Sequence, residues 1–430
     1  MAKEREQKIK RWQKPPLPNV PPRSARRSQR RKQFWLGAMV VGIALAICGV
    51  SMLVLQPHEP SAPTQPSTEP IATDPNTPPA PPTVITIAFG GDINITDQVV
   101  AAGKTSSGYD YSNVFMDIAP VLAGADATVV NLEGNLYGEP YGSQSTSAPQ
   151  ELIDALAASG VDFVQLANSC SINNGLTGLR QTLSGVRDAG MDGLGVFANT
   201  EEFETNRGFT LRDINGVKVA FVAFTKGMDG LSLPAGNQNC VNLLYKDYTS
   251  LYSEIDTEGI TKILKDVELE KPDITIALLH WGGAYNSIVS DSQKQIVKLM
   301  QGLGVDAIVG THSHYVQTVE YDPEQNTFVA YSLGDLLGNG DKHNTNASTI
   351  LQLQITKDNV TGKTTISGYE HTPVYIAAPE FDGVPRIRIM RIRDAMERYE
   401  ANSIHKISDE TYAAMKAALS RINTRLKTEE

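Results

Sequence analysis

The sequence predicts an α/β domain held outside a membrane by one transmembrane helix. Three observations carry this. An uncharged apolar run occupies Phe34–Leu55, short apolar runs alternate with amphipathic stretches from Val84 onward, and polar residues close several of those runs. Residues 1–33 hold twelve Lys/Arg against two Asp/Glu, although the 430-residue chain has a net charge of −10. The remainder is therefore strongly acidic, which argues against nucleic acid as a partner.

The run FWLGAMVVGIALAICGVSMLVL is long enough to cross ~30 Å of hydrocarbon as a helix. Arg30, Arg31 and Lys32 before it place the N-terminus in the cytoplasm and the body outside. The basic n-region is long for a cleaved signal peptide, and no small-x-small site follows the apolar run. Ile47 is too bulky to precede a lipidated Cys48. Residues 34–55 are accordingly expected to be an uncleaved single-pass anchor in the cell membrane, with 1–33 as a basic cytoplasmic segment. Residues 56–83 are rich in Pro, Thr and Ser and cannot bury a core. They read as an extended linker, serving either as a stalk or as a generic spacer.

From Val84, VITIAFGGD reads as a buried strand entering a Gly-Gly turn. Similar runs recur at Ala127–Asn131, Val161–Ala167, Val217–Phe224, Asp273–His280, Val305–Gly310 and Phe328–Leu333. Helical patterns at Ala148–Ser159, Leu176–Ala189, Thr257–Glu268 and Ser290–Leu303 separate several of them. Strands alternating with helices predict an α/β fold. Ile350–Ile355 and Thr364–Tyr369 read as a closing hairpin. The domain is expected to span 84–380, with 381–430 as a C-terminal helical extension that includes an amphipathic helix at Ser408–Leu426.

Five polar clusters follow strand-like runs: Gly91-Asp92, Asn131-Leu132-Glu133, Asn168-Ser169-Cys170, His280-Trp281-Gly282 and Gly310-Thr311-His312-Ser313-His314. The C-terminal ends of strands are where α/β sheets build their sites. Carboxylates and imidazoles are the ligands of Mn, Fe, Zn or Mg centres. Three of the chain's seven histidines fall in this set. Each residue also has a plain structural reading: a strand-to-turn Asp92, a helix-capping Glu133, a core His280.

These segments resemble, in order from about Val84 to about Tyr375, the motifs of the CapA family of capsule-synthesis and poly-γ-glutamate-synthesis proteins. The matching stretches are GGDINIT, NLEGNL, LHWGGAY, GTHSHYVQ and YSLGDLL. The resemblance implies a four-layer α/β/β/α sandwich of metallo-dependent phosphatase type. It puts Asp92, Glu133, Asn168, His280, His312 and His314 at metal positions and makes Cys170 and His280 the candidates for catalysis. Trp281, Tyr285 and Asp335 are the candidates for substrate contact. It further implies polymer synthase subunits and anionic cell-surface polymer as partners.

The departures are chemical. Ser169, Cys170 and Asn173 stand where the family usually has Asn, His and Asp, Ala284 where Glu is usual, and Asp335 where Asn is usual. A thiol cannot copy an imidazolium, and losing one positioned acid or electrostatic group costs roughly 10²–10⁴ in rate. The expectation is an accessory protein of capsule or poly-γ-glutamate-type biosynthesis with weak or no catalysis. The alternative is a metal-dependent hydrolase of a phosphoester or an amide-like polymer. Cys170 and Cys240, the two cysteines outside the apolar run, are expected to form a disulfide; otherwise Cys170 is a soft ligand or a small buried residue.

Overall fold

The computed structural model describes residues 80–427 apart from 339, 341, 382–383 and 404–406. The segments 1–33 and 34–55 and most of the linker lie outside the described residues. No helix among the described residues is long and apolar enough to cross a membrane.

The chain enters β1 (Thr83–Asn94), passes through α1 (Asp97–Gly103), α2 (Ser112–Phe115) and α3 (Ala119–Gly124), and returns in β2 (Ala127–Glu133). Next come α4 (Gln150–Ala158), β3 (Phe163–Gln165), α5 (Gly175–Asp188), β4 (Asp192–Leu194) and α6 (Thr200–Asn206). β5 (Phe209–Ile214) and β6 (Val217–Thr225) precede α7 (Thr257–Glu270), β7 (Ile274–His280), α8 (Asp291–Gly302) and β8 (Ala307–Thr311). Short strands β9 (Val319–Asp322), β10 (Thr327–Ala330) and β11 (Asp335–Leu337) lead to the long pair β12 (Ala347–Lys357) and β13 (Thr364–Ala377). β14 (Glu380–Phe381) pairs with β15 (Val384–Pro385). β16 (Arg388–Arg391), α9 (Ile392–Glu400) and α10 (Asp409–Leu426) complete the described chain.

Two sheets form. The first runs β16-β13-β12-β1-β2-β3-β4 with β11 also paired to β1, and the second runs β5-β6-β7-β8-β10-β9. β1 to β4 are mutually parallel, as are β6, β7, β8 and β10. Side chains alternate across a strand, and β6 shows the result. Val217, Val219, Phe221 and Ala223 enter the core shared with the first sheet, while Ala220, Val222 and Phe224 enter a second core. The first sheet meets the second through Phe163 against Phe221 (ring centroids 4.7 Å) and Tyr369 against Phe328 (5.1 Å).

The outer face of the second sheet is closed by α7 and α8. Ile260, Ile263, Leu264 and Val267 recur at the i, i+3, i+4, i+7 spacing of one helix face and share the second core with Ile296, Val297 and Met300. α8 starts at a capping box, in which Ser290 Oγ accepts from Gln293 N–H (3.2 Å) and Gln293 Oε1 accepts from Ser290 N–H (2.9 Å). The Gln293 amide also donates to Gln317 (3.2 Å), whose own amide donates to the Asn286 carbonyl (2.8 Å). This fixes the loop after β7 beside the site.

The residues expected as a C-terminal extension belong to the first sheet and its cover. β16 pairs antiparallel with β13, and Met415, Ala418 and Ile422 of α10 lie in the main core. Arg388 and Arg398 both reach Asp117 (3.6 and 3.2 Å), tying this end to the segment between α2 and α3.

Candidate metal centre

The strand ends deliver the candidate residues to one place. Asp92 lies near the end of β1, Glu133 ends β2, His280 ends β7, and His312 and His314 follow β8 directly. Close backbone approach makes this possible. A Cβ on Gly91 would sit 1.7 Å from the Gly334 carbonyl oxygen, and one on Gly310 would sit 2.0 Å from that of Tyr331. His312 and His314 both have positive φ (89° and 59°), a cost for non-glycine residues that is met at functional loops. The first is held by its own N–H, which donates to Asp92 Oδ2 (2.9 Å).

Two overlapping groups arise, Glu133–His280–His312 and Asp92–Glu133–His314, each with ligand atoms within 4.8 Å of one another. Glu133 belongs to both. Its Oε1 lies 3.0 Å from His280 Nε2 and accepts from Ser169 Oγ (2.9 Å). His280 Nδ1 meets Thr311 Oγ1 at 3.1 Å. Asp92 Oδ1 accepts from Asn131 Nδ2 (2.6 Å). His314 Nδ1 lies 2.8 Å from Asp335 Oδ1.

Whether these residues suit a metal is tested by His312. Both of its ring nitrogens are buried and lack a hydrogen-bond partner, an expensive arrangement unless something else engages them. The electrostatics agree. Burial opposes ionisation of Glu133, but the surrounding imidazoles outweigh it and hold the carboxyl well below its usual range. Burial and the Glu133 charge push Asp92 well above its range. Burial, with His280 beside it, drops His312 to about 3, so its ring is neutral and free to donate a lone pair. Burial would lower His314 too, but Asp335 raises it to about 10, while burial raises Asp335 to about 6. Two carboxylates and three imidazoles, with no thiolate, can bind a divalent metal of the Mn, Fe, Zn or Mg type.

The Asn168 side chain is held by hydrogen bonds: its Nδ2 donates to Asn131 Oδ1 (3.0 Å) and the Leu132 carbonyl (2.6 Å), and its Oδ1 accepts from Cys170 N–H (3.0 Å). The side chain of that loop bonded into the cluster is Ser169. Trp281 is fully buried, donates to the Tyr331 carbonyl (2.9 Å) and stacks on the Tyr331 ring. Asp335 is buried against His314 and acts as its positioning partner. Tyr285 is 48 % exposed and stacks on His314 (4.6 Å). Cys170 and Cys240 are both free, not bridged. The Cys240 thiol faces Asn237 (3.7 Å), while Cys170 is pushed well up by burial and by the Glu133 charge. Cys170 is also outside both ligand groups.

Sequence reasoning missed Ser169 as a hydrogen-bond bridge, Asn131 and Thr311 as positioning groups, and Lys226. Lys226 follows β6 and donates to the Gly282 carbonyl (3.1 Å), and its charge acts on His312. Its position beyond the end of an apolar run was the available signal.

Two facing sheets with acids and histidines at parallel strand ends define a two-sheet α/β protein with a candidate metal centre. The comparisons then give the family. Residues 86–340 match the family described as bacterial capsule synthesis protein PGA_cap, more than half of the chain, and the chain belongs to that family. It is 26% identical over 284 residues to the capsule biosynthesis protein CapA of Bacillus anthracis, covering 64% of this chain and 65% of that protein. The chain thus spans slightly under two thirds of that relative's length. It is 25% identical over 298 residues to the PGA biosynthesis protein CapA of Bacillus subtilis, covering 68% and 72%. Among solved structures it is similar to a calcineurin-like phosphoesterase from Bacillus subtilis (TM-score 0.41, 15% identity, 80% of this chain and 100% of that one). A phosphatase from Mycoplasma pneumoniae is similar at TM-score 0.41 and 16% identity, over 68% and 94%.

Proposed function

We propose that the chain is a membrane-anchored, extracytoplasmic accessory of capsule or poly-γ-glutamate-type polymer biosynthesis. In this reading it engages polymer and synthase partners at a metal-bearing centre with little or no turnover. Membership of the capsule synthesis family supports the capsule-related role. The uncharged run at 34–55 behind a basic segment supports the anchor.

The loop after β3 carries the accessory reading. It offers the cluster a hydroxyl from Ser169, with the Cys170 thiol beside it, and no imidazole. Neither group is a ready proton donor near neutrality. Asp92, Glu133, His280, His312 and His314 would hold a divalent ion, which supplies Lewis-acid polarisation of a phosphoryl or carbonyl oxygen when bound. Asp335 fixes the His314 ring, Ser169 and Thr311 orient His280, and Tyr285 presents an exposed ring to a polymer segment.

Metal content and turnover of model phosphoesters with Mn²⁺ test this on the full chain, compared with Ser169→Asn/Cys170→His. The expected result is bound transition metal, negligible wild-type turnover and a faster restored variant. A wild type as fast as the restored variant would sink the accessory reading, and absence of metal would sink the centre. In cells, deletion of the gene should lower surface polymer.

A second reading, as a hydrolase, is favoured by Lys226. Burial lowers its pKa, opposed by the charges of Asp229 and Glu133, and its ammonium is close enough to the ligand cluster to act on His312. Such a cation can stabilise developing negative charge in place of the missing imidazole. Turnover that Lys226→Met abolishes, with metal content unchanged, would establish this reading.

A further inference from the structure

Beside the centre lies a cavity of about 240 Å³ whose polar lining is Ser287, Tyr315, Asn344, Arg421 and Arg425, the rest of its wall being four apolar residues. Three segments that reach the centre, directly or through Tyr285, also build this cavity. Tyr315 follows His314 directly, Ser287 lies two residues beyond the Tyr285 that stacks on His314, and Asn344 lies two residues beyond Lys342, whose ammonium sits 5.5 Å from the Tyr285 ring. The fourth wall is α10, which lies beyond the residues matched by the family model.

Arg421 and Arg425 are four apart on that helix and share a face. Among the described residues, neither forms an ion pair with a carboxylate. The acids of α10, Asp409 and Glu410, lie in its first turn, roughly 16 Å away along the helix axis. Arg425 Nη1 donates to the Ser287 carbonyl (2.9 Å), which seats the helix end on the loop after β7. A basic residue in a last helical turn also complements the helix dipole, and Arg425 satisfies that role. Arg421, one turn earlier, lines the cavity without a hydrogen-bond acceptor among the described residues. The Tyr315 hydroxyl is already engaged, donating to the His343 carbonyl (3.0 Å), so the groups that remain to meet a ligand are the guanidinium forks and the Asn344 amide. Two such cations stand out on a body whose overall charge is strongly negative.

We infer that this cavity is a carboxylate subsite. Arg421, with Arg425 and Asn344, receives one carboxylate of a polyanionic chain whose neighbouring unit lies against Tyr285 and the metal centre. A guanidinium fork matches a carboxylate in two parallel hydrogen bonds. The choice of carboxylate rests on the poly-γ-glutamate reading above, whereas the cavity and its cations do not depend on it. The subsite also removes the obstacle that an acidic body poses to an acidic polymer, because attraction is local and the Debye length is short, about 8 Å at physiological salt.

The test uses the full chain and two probes, a fluorescent oligo-γ-glutamate and inorganic polyphosphate. Because the basic N-terminal segment is present in every sample, comparison between variants cancels its contribution. Arg421→Ala should weaken oligo-γ-glutamate binding roughly tenfold or more, the worth of a charge-assisted hydrogen bond, and should weaken it by a larger factor than polyphosphate binding. Arg421→Lys should fall between. Metal content and thermal midpoint should match wild type, which separates lost contact from lost fold. Unchanged oligo-γ-glutamate affinity in Arg421→Ala overturns the subsite, as does a loss confined to polyphosphate. Failure of the broader functional reading would register differently, as unaltered surface polymer in cells lacking the gene.

Discussion

The two sheets bring different chemistry to the centre. The first sheet supplies all three acids: Asp92 from β1, Glu133 from β2 and Asp335 from β11. The second supplies all three imidazoles: His280 from β7, and His312 and His314 after β8. Neither sheet alone offers a balanced ligand set. The centre exists only because the sheets pack in one relative position, so integrity of the core between them and ligand geometry are the same requirement. The hydrogen bond from His312 N–H to Asp92 Oδ2 and the contact of His314 with Asp335 are the stitches across that junction.

Breaking the junction at its core should have the largest effect. Phe221 of β6 packs on Phe163 of β3, and Phe221→Ala should cost about 3–5 kcal/mol in urea unfolding. Metal affinity should fall with it although no ligand is touched; intact affinity would show that the sheets need not stay in register. Next comes Glu133→Ala, which removes the carboxylate shared by both ligand groups. Metal affinity should drop by more than the roughly 100-fold upper range for loss of an outer-shell partner. Elemental analysis after dialysis would read this, and full retention of metal would rule out Glu133 as a shared ligand. Asp335→Asn keeps an acceptor for His314 but not the charge, and should cost roughly 10–100-fold in metal affinity. An equal loss from Glu133→Ala and Asp335→Asn would erase the distinction between holding the ion and positioning its ligand.

The smallest effect concerns an acid on the imidazole side. Asp306 lies just before β8, at the end opposite His312, and burial raises its carboxyl to about 6. The folded state therefore binds the proton more tightly than the unfolded chain. Stability falls as pH rises from about 4 to about 6 and the deficit persists above that window. Asp306→Asn retains an acceptor for the Thr275 N–H (2.8 Å) and should gain about 1 kcal/mol at pH 7.5. At pH 3.5 the gain should vanish, and urea titrations at the two pH values would check it. A gain equal at both would exclude the charge as its source.

The alternation of long apolar runs with amphipathic stretches made β1, β2, β6, β7 and β8 and their intervening helices readable from sequence. β4 and β11, of three residues each, were not, because so short a stretch carries too little periodicity. β16 was hidden by its arginines, one of which, Arg388, is buried against Asp117. In the site, acids and histidines at strand ends were recognisable by ionisable chemistry and position. The burial of Trp281 is not legible from its motif, because successive residues of an extended chain face opposite ways: His280 points to the cluster and its neighbour into the second core. Asn168 and Ser169 raise the same difficulty in a loop, where no period tells which side chain turns inward. Ser169 also gives no charge signal, and its role depends on Glu133 and His280, which are far away in sequence.

β1 has partners on both flanks, seven residues of β12 running one way and β2 running the other. It is also the first described element, with residues 34–55 upstream of it. Tension drawn through the chain ahead of Thr83 would therefore pull along the axis of a central strand. From Ile87 to Phe89, where β1 is flanked on both sides, its hydrogen bonds would be loaded together in shear. A domain held against flow or a growing polymer through that end would meet the load on the strand that also carries Asp92.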